Sequence, residues 1–281
     1  LCSDLDRTLI PNGSQAESPQ ARVLFKQLVR HSDITLAYVT GRDKSLVKEA
    51  LNFYRLPIPN YVIADVGASI YRINKQNDSS IDWQEWDAWK NCFALDWKGY
   101  TNKGIADFFN DLTELRRQEV NKQKTYKLSY YVPLYCNYRK LIETMKSRLS
   151  QNDIQAELIW SVDEMLAIGL LDVMPKHATK RTAIEFLMKE NQFNYQNTIF
   201  SGDSGNDLDV LLSPIQSILV ANAHPDVKSI VMDNINNKER SGSIYIAKGG
   251  FRSMNGNYSA GVLEGIQFYA PQIVQKLGEY E

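Results

Sequence analysis

Two acidic clusters, far apart in the sequence, are the residues of this chain best suited to chemistry. Asp4 and Asp6 follow a short apolar run at the start of the chain, and Asp203 and Asp207 follow a second apolar run. Ligands gather at the carboxyl ends of parallel strands, beside the switch in strand order. A doubly wound sheet would therefore bring both clusters to one edge, where close carboxylates repel one another unless a cation neutralises them.

An all-oxygen ligand set of this kind suits Mg²⁺, which keeps several waters and often binds a substrate phosphate oxygen. A carboxylate nucleophile beside such a metal indicates phosphoryl transfer through an aspartyl phosphate. Alone, the Asp-x-Asp-x-Thr pattern is more often a solvated turn, but the second cluster after an apolar strand reverses that reading. We predict a Mg²⁺ site formed by Asp4, Asp6, Asp203 and Asp207, with Asp203 a direct ligand and Asp207 bound directly or through water.

A second set of polar residues is placed to hold phosphate. Thr40, Gly41 and Arg42 lie between a strand pattern and a helix pattern, and a hydroxyl with free N–H groups at a helix start forms a phosphate cradle. For Arg42 the alternative is a surface salt bridge. Lys180 begins a helix, where the helix dipole does not favour a cation, so we predict that it neutralises Asp4 and phosphate. Asn206 is expected to bind substrate or a neighbouring loop.

Four stretches in the expected order resemble the motifs of haloacid dehalogenase (HAD) superfamily phosphatases: residues 4–8, 39–42, 180 and 202–207. The resemblance implies that Asp4 is the nucleophile. It also implies that Asp6 is the general acid and base, with its backbone C=O near the metal, and that Thr40 and Lys180 take part in catalysis. Arg7 departs from the small residue usual at this position; its side chain either touches phosphate or points to solvent, and we slightly favour solvent.

Further stretches are similar to the sucrose-phosphatase-like branch of the superfamily: residues 36–42, 66–71, 127–131 and 258–264. The resemblance implies a phosphorylated sugar as substrate, with sucrose 6-phosphate the prediction. The alternatives are another glycoside phosphate (mannosylfructose phosphate or glucosylglycerol phosphate), a phosphosugar mutase, or a non-catalytic sugar-phosphate-binding domain. Lys127, Ser129 and Tyr131 alternate on one strand face, so they either line the sugar pocket or form an exposed face.

Alternating strand and helix patterns predict an α/β fold: a doubly wound, Rossmann-like parallel sheet. Residues 34–39 and 61–66 read as buried strands and residues 43–54 as a helix. Residues 77–173 lack the catalytic signature, and we predict that they form an inserted α+β cap of the C2 type between core segments 1–76 and 174–281. Most of Trp83, Trp86, Trp89 and Trp97 are expected to pack inside that cap, the alternative being stacking on sugar rings.

Composition narrows the class of protein. A formal net charge of −1 gives no electrostatic argument for binding nucleic acid or a membrane surface. Three scattered cysteines do not suit a disulfide framework or a zinc site, and we predict a cytoplasmic protein. Because Leu1 comes so close before Asp4, we expect either a few preceding residues or a longer polypeptide, for example a fusion to a glycosyltransferase.

Overall fold

Two sheets organise the protein in the computed structural model, which describes residues 1–31, 33–77, 80–163, 165–236 and 244–275. The larger sheet has eight strands: β1 (Cys2–Ser3), β2 (Ala37–Val39), β3 (Tyr61–Ala64), β4 (Ser69–Asn77), β5 (Ser80–Glu85), β10 (Ile199–Gly202), β11 (Gln216–Leu219) and β12 (Ile244–Ile246). The smaller sheet has four: β6 (Arg116–Arg117), β7 (Leu128–Val132), β8 (Ala156–Asp163) and β9 (Ile168–Pro175).

Ten α-helices accompany these strands in the described part of the chain. They are α1 (Ala21–Leu28), α2 (Lys44–Phe53), α3 (Asp87–Asn91), α4 (Asn102–Asp107), α5 (Tyr138–Gln151), α6 (Lys180–Glu190), α7 (Leu208–Leu211), α8 (Pro225–Asn236), α9 (Ser259–Tyr269) and α10 (Pro271–Gln275). Across these described helices, none is both long enough and apolar enough for a membrane span.

The larger sheet runs in the order β12-β11-β10-β1-β2-β3-β4-β5. Strands β1, β2, β3, β10, β11 and β12 are parallel, and β4 and β5 extend the sheet as an antiparallel hairpin. From β1 the chain moves outward on one side to β2 and β3, and later returns on the other side through β10. The predicted α/β class with a doubly wound, mostly parallel sheet is confirmed, and the switch in strand order lies at β1.

Burial explains why these short runs form strands. Tyr38, Ile63 and Phe200 are fully buried, as expected of parallel strands covered by helices on both faces. Helix α2 begins after Asp43, whose carboxylate accepts the Leu46 N–H at 3.0 Å. Helix α6 begins after Thr179, and its start therefore places Lys180 at the carboxyl edge of the sheet.

The smaller sheet has one apolar face and one face of mixed polarity. Leu128, Tyr130 and Leu171 pack with residues of α4 and α5 in a second hydrophobic core, separate from that of the larger sheet. Because side chains alternate along a strand, Lys127, Ser129 and Asp172 share the opposite face. The edge strand β8 runs against the 3₁₀ turn Gly205–Asp207 of the larger domain.

The structure places residues 80–85 in the larger sheet, although they fall within the predicted cap of residues 77–173. Of the polar stretch 74–80, residues 74–77 belong to β4 and residue 80 begins β5, whereas residues 78–79 lie outside the described part. Trp83, Trp86 and Trp89 consequently pack in the larger core, and Trp97 packs in the core of the smaller sheet. The expectation that most of these tryptophans fill the cap was wrong, and we propose that the cap begins near Asp96 and ends at Pro175.

Two chain crossings join the cap to the core, and a polar pair ties them together. Asp96 lies at the first crossing and is buried, whereas His177 lies at the second. The Asp96 carboxylate accepts the His177 backbone N–H at 2.8 Å, and its other oxygen lies 2.9 Å from the His177 ring Nδ1. The two crossings are therefore held side by side.

Candidate active site

Three neighbouring strands deliver the polar residues of the site. Asp4 follows β1, Thr40 follows β2 and Asp203 follows β10, and all three side chains are buried. Their backbones continue the sheet pairing, since Asp4 N–H donates to Ser201 O and Thr40 N–H to Ile63 O, each at 2.9 Å. The carboxyl edge of the sheet therefore gathers residues from both ends of the sequence.

Three of the four predicted carboxylate ligands converge. One oxygen each from Asp4, Asp203 and Asp207 lie within 4.8 Å of one another. All three residues are buried, so their charges are poorly screened by water. The donor set is all oxygen, which fits a hard divalent cation such as Mg²⁺.

The Asp6 carboxylate, the fourth predicted ligand, does not belong to this cluster in the structure. It forms a two-point ion pair with Arg42, with Nε–Oδ2 and Nη2–Oδ1 distances of 2.8 and 2.7 Å. Asn12 donates a further hydrogen bond to Asp6 Oδ1 at 2.7 Å. The reason is local: the side chain is 39% exposed, and Arg42 and Asn12 take up its two oxygens. A role at the metal would therefore use the Asp6 backbone C=O, which remains a prediction.

Lys180 bridges the nucleophile candidate and the second acidic cluster. Its Nζ lies 3.0 Å from Asp4 Oδ1 and 2.7 Å from Asp207 Oδ1, and the side chain is 1% exposed. Burial alone would lower the pKa of Lys180, but the carboxylates of Asp207 and Asp4 outweigh burial and raise that pKa above its usual range. Lys180 is thus a permanent cation inside the site, which explains a lysine at the unfavourable start of α6.

Asp207 shapes the turn that carries Asp203. Asp207 Oδ2 accepts the backbone N–H groups of Asp203 at 3.0 Å and Ser204 at 3.1 Å, while Oδ1 receives Lys180. A Cβ on Gly202 would lie 2.6 Å from the Asp207 carboxyl carbon, so this close approach requires glycine. Both Asp207 oxygens already have strong donors, which distinguishes Asp207 from Asp4.

Burial dominates the titration of the cluster. It raises the pKa of Asp4 well above its ordinary value, and Lys180 only partly opposes this effect. Burial, followed by repulsion from Asp207, raises the pKa of Asp203 to about 7. A divalent cation would replace the protons that these carboxyls otherwise bind.

This arrangement predicts a pH-dependent response to Mg²⁺. Folding raises the Asp203 pKa, so protonation of Asp203 favours the folded state of the metal-free protein. This contribution to stability is fully present below about pH 4 and is lost as pH rises through about 7. The loss amounts to as much as ~4 kcal/mol of folding free energy for Asp203. We expect Mg²⁺ to raise Tm by several degrees more at about pH 8 than at about pH 5, as measured by differential scanning fluorimetry. An equal Tm increase at both pH values would contradict a carboxylate metal site.

The predicted phosphate loop lies beside a conformationally strained segment. Thr40 Oγ1 accepts the Arg42 N–H at 3.2 Å, and Thr40 O accepts the Val66 N–H at 3.1 Å. Asp65 and Val66 both have positive φ angles, 54° and 61°, which are rare for residues with side chains and concentrate at functional sites. A Cβ on Gly41 would lie 3.8 Å from Val66 Cγ2 and 3.9 Å from the Asn206 amide nitrogen. The loop therefore opens toward Asn206.

Arg42 and Arg7 lie differently from our expectations. Of the two readings for Arg42, the salt bridge is the one observed, and its partner Asp6 belongs to the site itself. The hydrogen bond with Asp6 raises the pKa of Arg42. Arg7 was expected to point to solvent, but its Nε donates to Asp203 Oδ2 at 3.2 Å and its side chain is 18% exposed. Sequence spacing could not show that the neighbour of Asp6 reaches across to the second cluster.

On the cap, two of the three predicted sugar-binding residues meet at a carboxylate that the sequence analysis did not select. Ser129 Oγ donates to Asp172 Oδ1 at 2.5 Å, and Lys127 Nζ lies 3.8 Å from Asp172 Oδ2. Lys127 and Ser129 are buried, so an exposed face is excluded for them. Tyr131 instead donates to Glu119 at 2.9 Å. An aspartate inside the apolar run of β9 was the available signal for Asp172.

A cavity of about 660 Å³ lies between the cap and the carboxylate cluster. Strand β8 of the cap forms one wall through Ser161 and its neighbours, and Asp203 and Asn206 contribute to the core side. Arg7 also borders this space. A cavity of this size accommodates a small phosphorylated molecule beside Asp203 and Lys180, whereas Lys127, Ser129 and Asp172 do not line it.

Comparison with known proteins places the chain among phosphatases. Residues 1–270 match the model of the family described as sucrose-6F-phosphate phosphohydrolase. A protein of Nitrosococcus oceani, described only as a HAD-like hydrolase, is 48% identical over 272 residues, covering 97% of this chain and 72% of that protein. Sucrose-phosphatase 2 of Nicotiana tabacum is 25% identical over 234 residues, covering 81% of this chain. The match extends over 51% of the tobacco protein, so the chain spans about half of its length.

The fold also resembles a solved structure. The X-ray structure of the sucrose-phosphatase from Synechocystis sp. PCC6803, in complex with sucrose and phosphate, superposes with a TM-score of 0.73. The similarity covers 95% of this chain and 96% of that chain at 22% identity, and it shows a shared fold. With the family match over residues 1–270, the chain belongs to the sucrose-6F-phosphate phosphohydrolase family, and hence to the phosphatases of the HAD superfamily.

Proposed function

We propose that this phosphatase hydrolyses sucrose 6-phosphate to sucrose and phosphate through an aspartyl phosphate on Asp4. The observation that carries the proposal is the buried Lys180 Nζ, which lies 3.0 Å from Asp4 and 2.7 Å from Asp207. A cation fixed on one oxygen of Asp4 opposes the effect of burial on the Asp4 pKa and leaves the other oxygen for attack on phosphorus. The family match supports a sugar phosphate as the substrate class.

In the first half-reaction, an Asp4 oxygen forms a bond to phosphorus while the bond from phosphorus to the sugar oxygen breaks. Asp6 is proposed to give a proton to that leaving oxygen. In the second half-reaction, Asp6 takes a proton from water as the water oxygen attacks phosphorus, and Asp4 is released. Arg42 and Asn12 orient the Asp6 carboxylate through their hydrogen bonds.

Mg²⁺ is the cofactor that we propose, held by Asp4 and Asp203 directly and by Asp207 through water, because the donors to Asp207 include the buried Lys180 and two backbone N–H groups of its own turn. When bound, it supplies positive charge that offsets the negative charge of the carboxylates and the phosphoryl group. The Thr40–Arg42 loop and Asn206 are proposed to hold the phosphoryl oxygens through N–H and hydroxyl donors.

The cap is proposed to select the sugar. Lys127 and Ser129 supply donors and Asp172 supplies an acceptor on one face, where Ser129 is hydrogen-bonded to Asp172 and Lys127 lies at ion-pair distance from it. A disaccharide phosphate has many hydroxyls, and each that is left unpaired on burial costs about 1–3 kcal/mol. A buried polar face of this type therefore favours a polyhydroxy substrate over a small apolar phosphate ester.

The test is a phosphate-release assay over a panel of substrates, with Mg²⁺ and with chelator. The panel contains sucrose 6-phosphate, mannosylfructose phosphate, glucosylglycerol phosphate, glucose 6-phosphate and fructose 6-phosphate. We expect the highest kcat/KM for sucrose 6-phosphate and no turnover in chelator. Isomerised sugar phosphate without inorganic phosphate would indicate a mutase, and binding without turnover would indicate a non-catalytic domain. Equal use of monosaccharide phosphates would exclude the disaccharide assignment.

The same panel applied to Lys127→Ala tests the cap face. We expect kcat/KM for the preferred sugar phosphate to fall by about tenfold to a hundredfold, because a buried donor is lost and Asp172 loses its neighbouring cation. Hydrolysis of a small ester such as p-nitrophenyl phosphate should change little, since it lacks the hydroxyls that this face would bind. Lys146→Ala is the matched control. Lys146 is an exposed lysine on α5 that pairs with Glu157. An unchanged profile for Lys127→Ala would place the sugar site elsewhere.

A further inference from the structure

Arg7 occupies a backbone position that does not favour a long side chain. Its φ angle is 57°, in the left-handed region where glycine and asparagine are accommodated with less strain. The backbone is held on both sides: Arg7 N–H donates to Asn12 Oδ1 at 2.8 Å, and Asn222 Nδ2 donates to Arg7 O at 2.6 Å. Strain of this kind persists where the surroundings hold the backbone, as Asn12 and Asn222 do here while the guanidinium reaches Asp203.

The guanidinium is directed at the acidic cluster. Its Nε donates to Asp203 Oδ2 at 3.2 Å, and its Nη2 donates to Asn222 O at 3.2 Å. The other Asp203 oxygen accepts the Thr8 hydroxyl at 3.3 Å. Both oxygens of a buried metal-ligand candidate are therefore occupied by donors from the loop that follows Asp4. A cation that binds Asp203 must displace or weaken at least one of these donors.

The two cations of the site differ in how far they are enclosed. Lys180 is 1% exposed and lies between Asp4 and Asp207. Arg7 is 18% exposed and borders the cavity of about 660 Å³, while its backbone is held by Asn12 and Asn222.

We propose that Arg7 is a tethered counter-cation that competes with the divalent metal for Asp203. In the metal-free protein its guanidinium neutralises Asp203. When a divalent cation binds that carboxylate, repulsion between the two cations and the loss of negative charge on oxygen weaken the ion pair, and the guanidinium moves into the cavity. Arg7 thereby sets how much free metal is needed to load the site. The proposal rests on the proposed function only for the identity of the cation.

The test is calorimetric titration of the full chain with Mg²⁺ in the absence of substrate. Arg7→Ala is expected to bind Mg²⁺ about tenfold more tightly than the wild-type chain, because no ion pair has to be broken. Arg7→Lys, which keeps a charge but not the guanidinium geometry, should fall between them. Arg181→Ala is the matched control. Arg181 lines the same cavity but pairs with Glu185 and Asp209, so the Mg²⁺ affinity of this variant should match that of the wild-type chain. Weaker or unchanged Mg²⁺ binding by Arg7→Ala would overturn the proposal.

Thermal stability gives a second readout that a merely structural arginine would not produce. Without metal, Arg7→Ala should melt below the wild-type chain, since Asp203 loses its neutralising partner. At saturating Mg²⁺ the two Tm values should coincide, whereas a structural arginine would lower Tm equally in both conditions. Arg7→Asn removes the charge but tolerates the left-handed φ, so it keeps the test valid if the alanine variant does not fold. A chain that binds Mg²⁺ but hydrolyses no sugar phosphate would reject the proposed function and leave this result standing.

Discussion

Asp4→Asn is expected to abolish phosphate release while the protein remains folded. An amide cannot form the acyl phosphate, and removal of a covalent step lowers kcat by a factor of about 10⁴ or more. Stability should not fall, because burial already raises the Asp4 pKa and a neutral amide removes repulsion among the acids. Steady-state phosphate release and Tm, measured on the same preparation, separate the two effects.

Asp153→Asn is the control for Asp4→Asn. Asp153 lies on the cap surface, where it pairs with Lys98 and is 83% exposed, and it has a φ angle of 53° that asparagine tolerates. Its turnover should equal that of wild type. If Asp4→Asn retained a tenth of the wild-type rate, Asp4 would not be the nucleophile. Asp6→Asn should instead accumulate a phosphorylated chain, detectable by intact mass, because the attacking water loses its base.

Lys180→Met is expected to damage both activity and folding. The substitution leaves Asp4 and Asp207 buried without their shared cation, and breaking a buried ion pair in this way costs about 3–5 kcal/mol. We expect kcat to fall by about 10³ or more, since Asp4 then tends to bind a proton instead of attacking phosphorus. Urea unfolding and phosphate release measure the two losses.

Mg²⁺ separates the two roles of Lys180. Saturating Mg²⁺ should restore much of the stability of Lys180→Met, because a divalent cation neutralises the same carboxylates, but it should not restore the rate. Lys189→Met, at the exposed last turn of the same helix, is the control and should change neither property appreciably. Wild-type stability in metal-free Lys180→Met would show that the three carboxyls are neutral without a cation.

The convergence of the acidic clusters was predictable because it depends on topology alone. Asp4, Thr40 and Asp203 each follow a short apolar run, and parallel strands end at one edge of a sheet. Lys180 was predictable for a related reason: a lysine at a helix start conflicts with the helix dipole, and such a conflict indicates a local anionic partner. The family resemblance added the order of the motifs, and the comparison with known proteins confirmed the family.

The errors share one cause. The local pattern of a sequence does not show how far a side chain reaches or with which strand a segment pairs. Residues 80–85 alternate like any half-buried strand, and only their pairing with β4 assigns them to the larger sheet. Arg7 was read as solvent-directed because its partner Asp203 lies far away in sequence. Asp172 lies within an apolar strand, where an acidic residue is visible, but its partner Ser129 is recognisable only once β7 and β9 are aligned.

The tie between Asp96 and His177 bears on how chimeric enzymes of this family could be built. Transplanting a cap to change the sugar accepted requires two splice points, and β9 leads into the lysine helix through only a short segment. A splice between Pro175 and His177 would separate the histidine from Asp96 and alter the segment that delivers Lys180 to the nucleophile. Grafts that carry both partners, with the joints placed before Asp96 and after His177, preserve that delivery. The segment that would be exchanged to change the sugar specificity therefore extends past the last cap strand, up to the residues that precede Lys180.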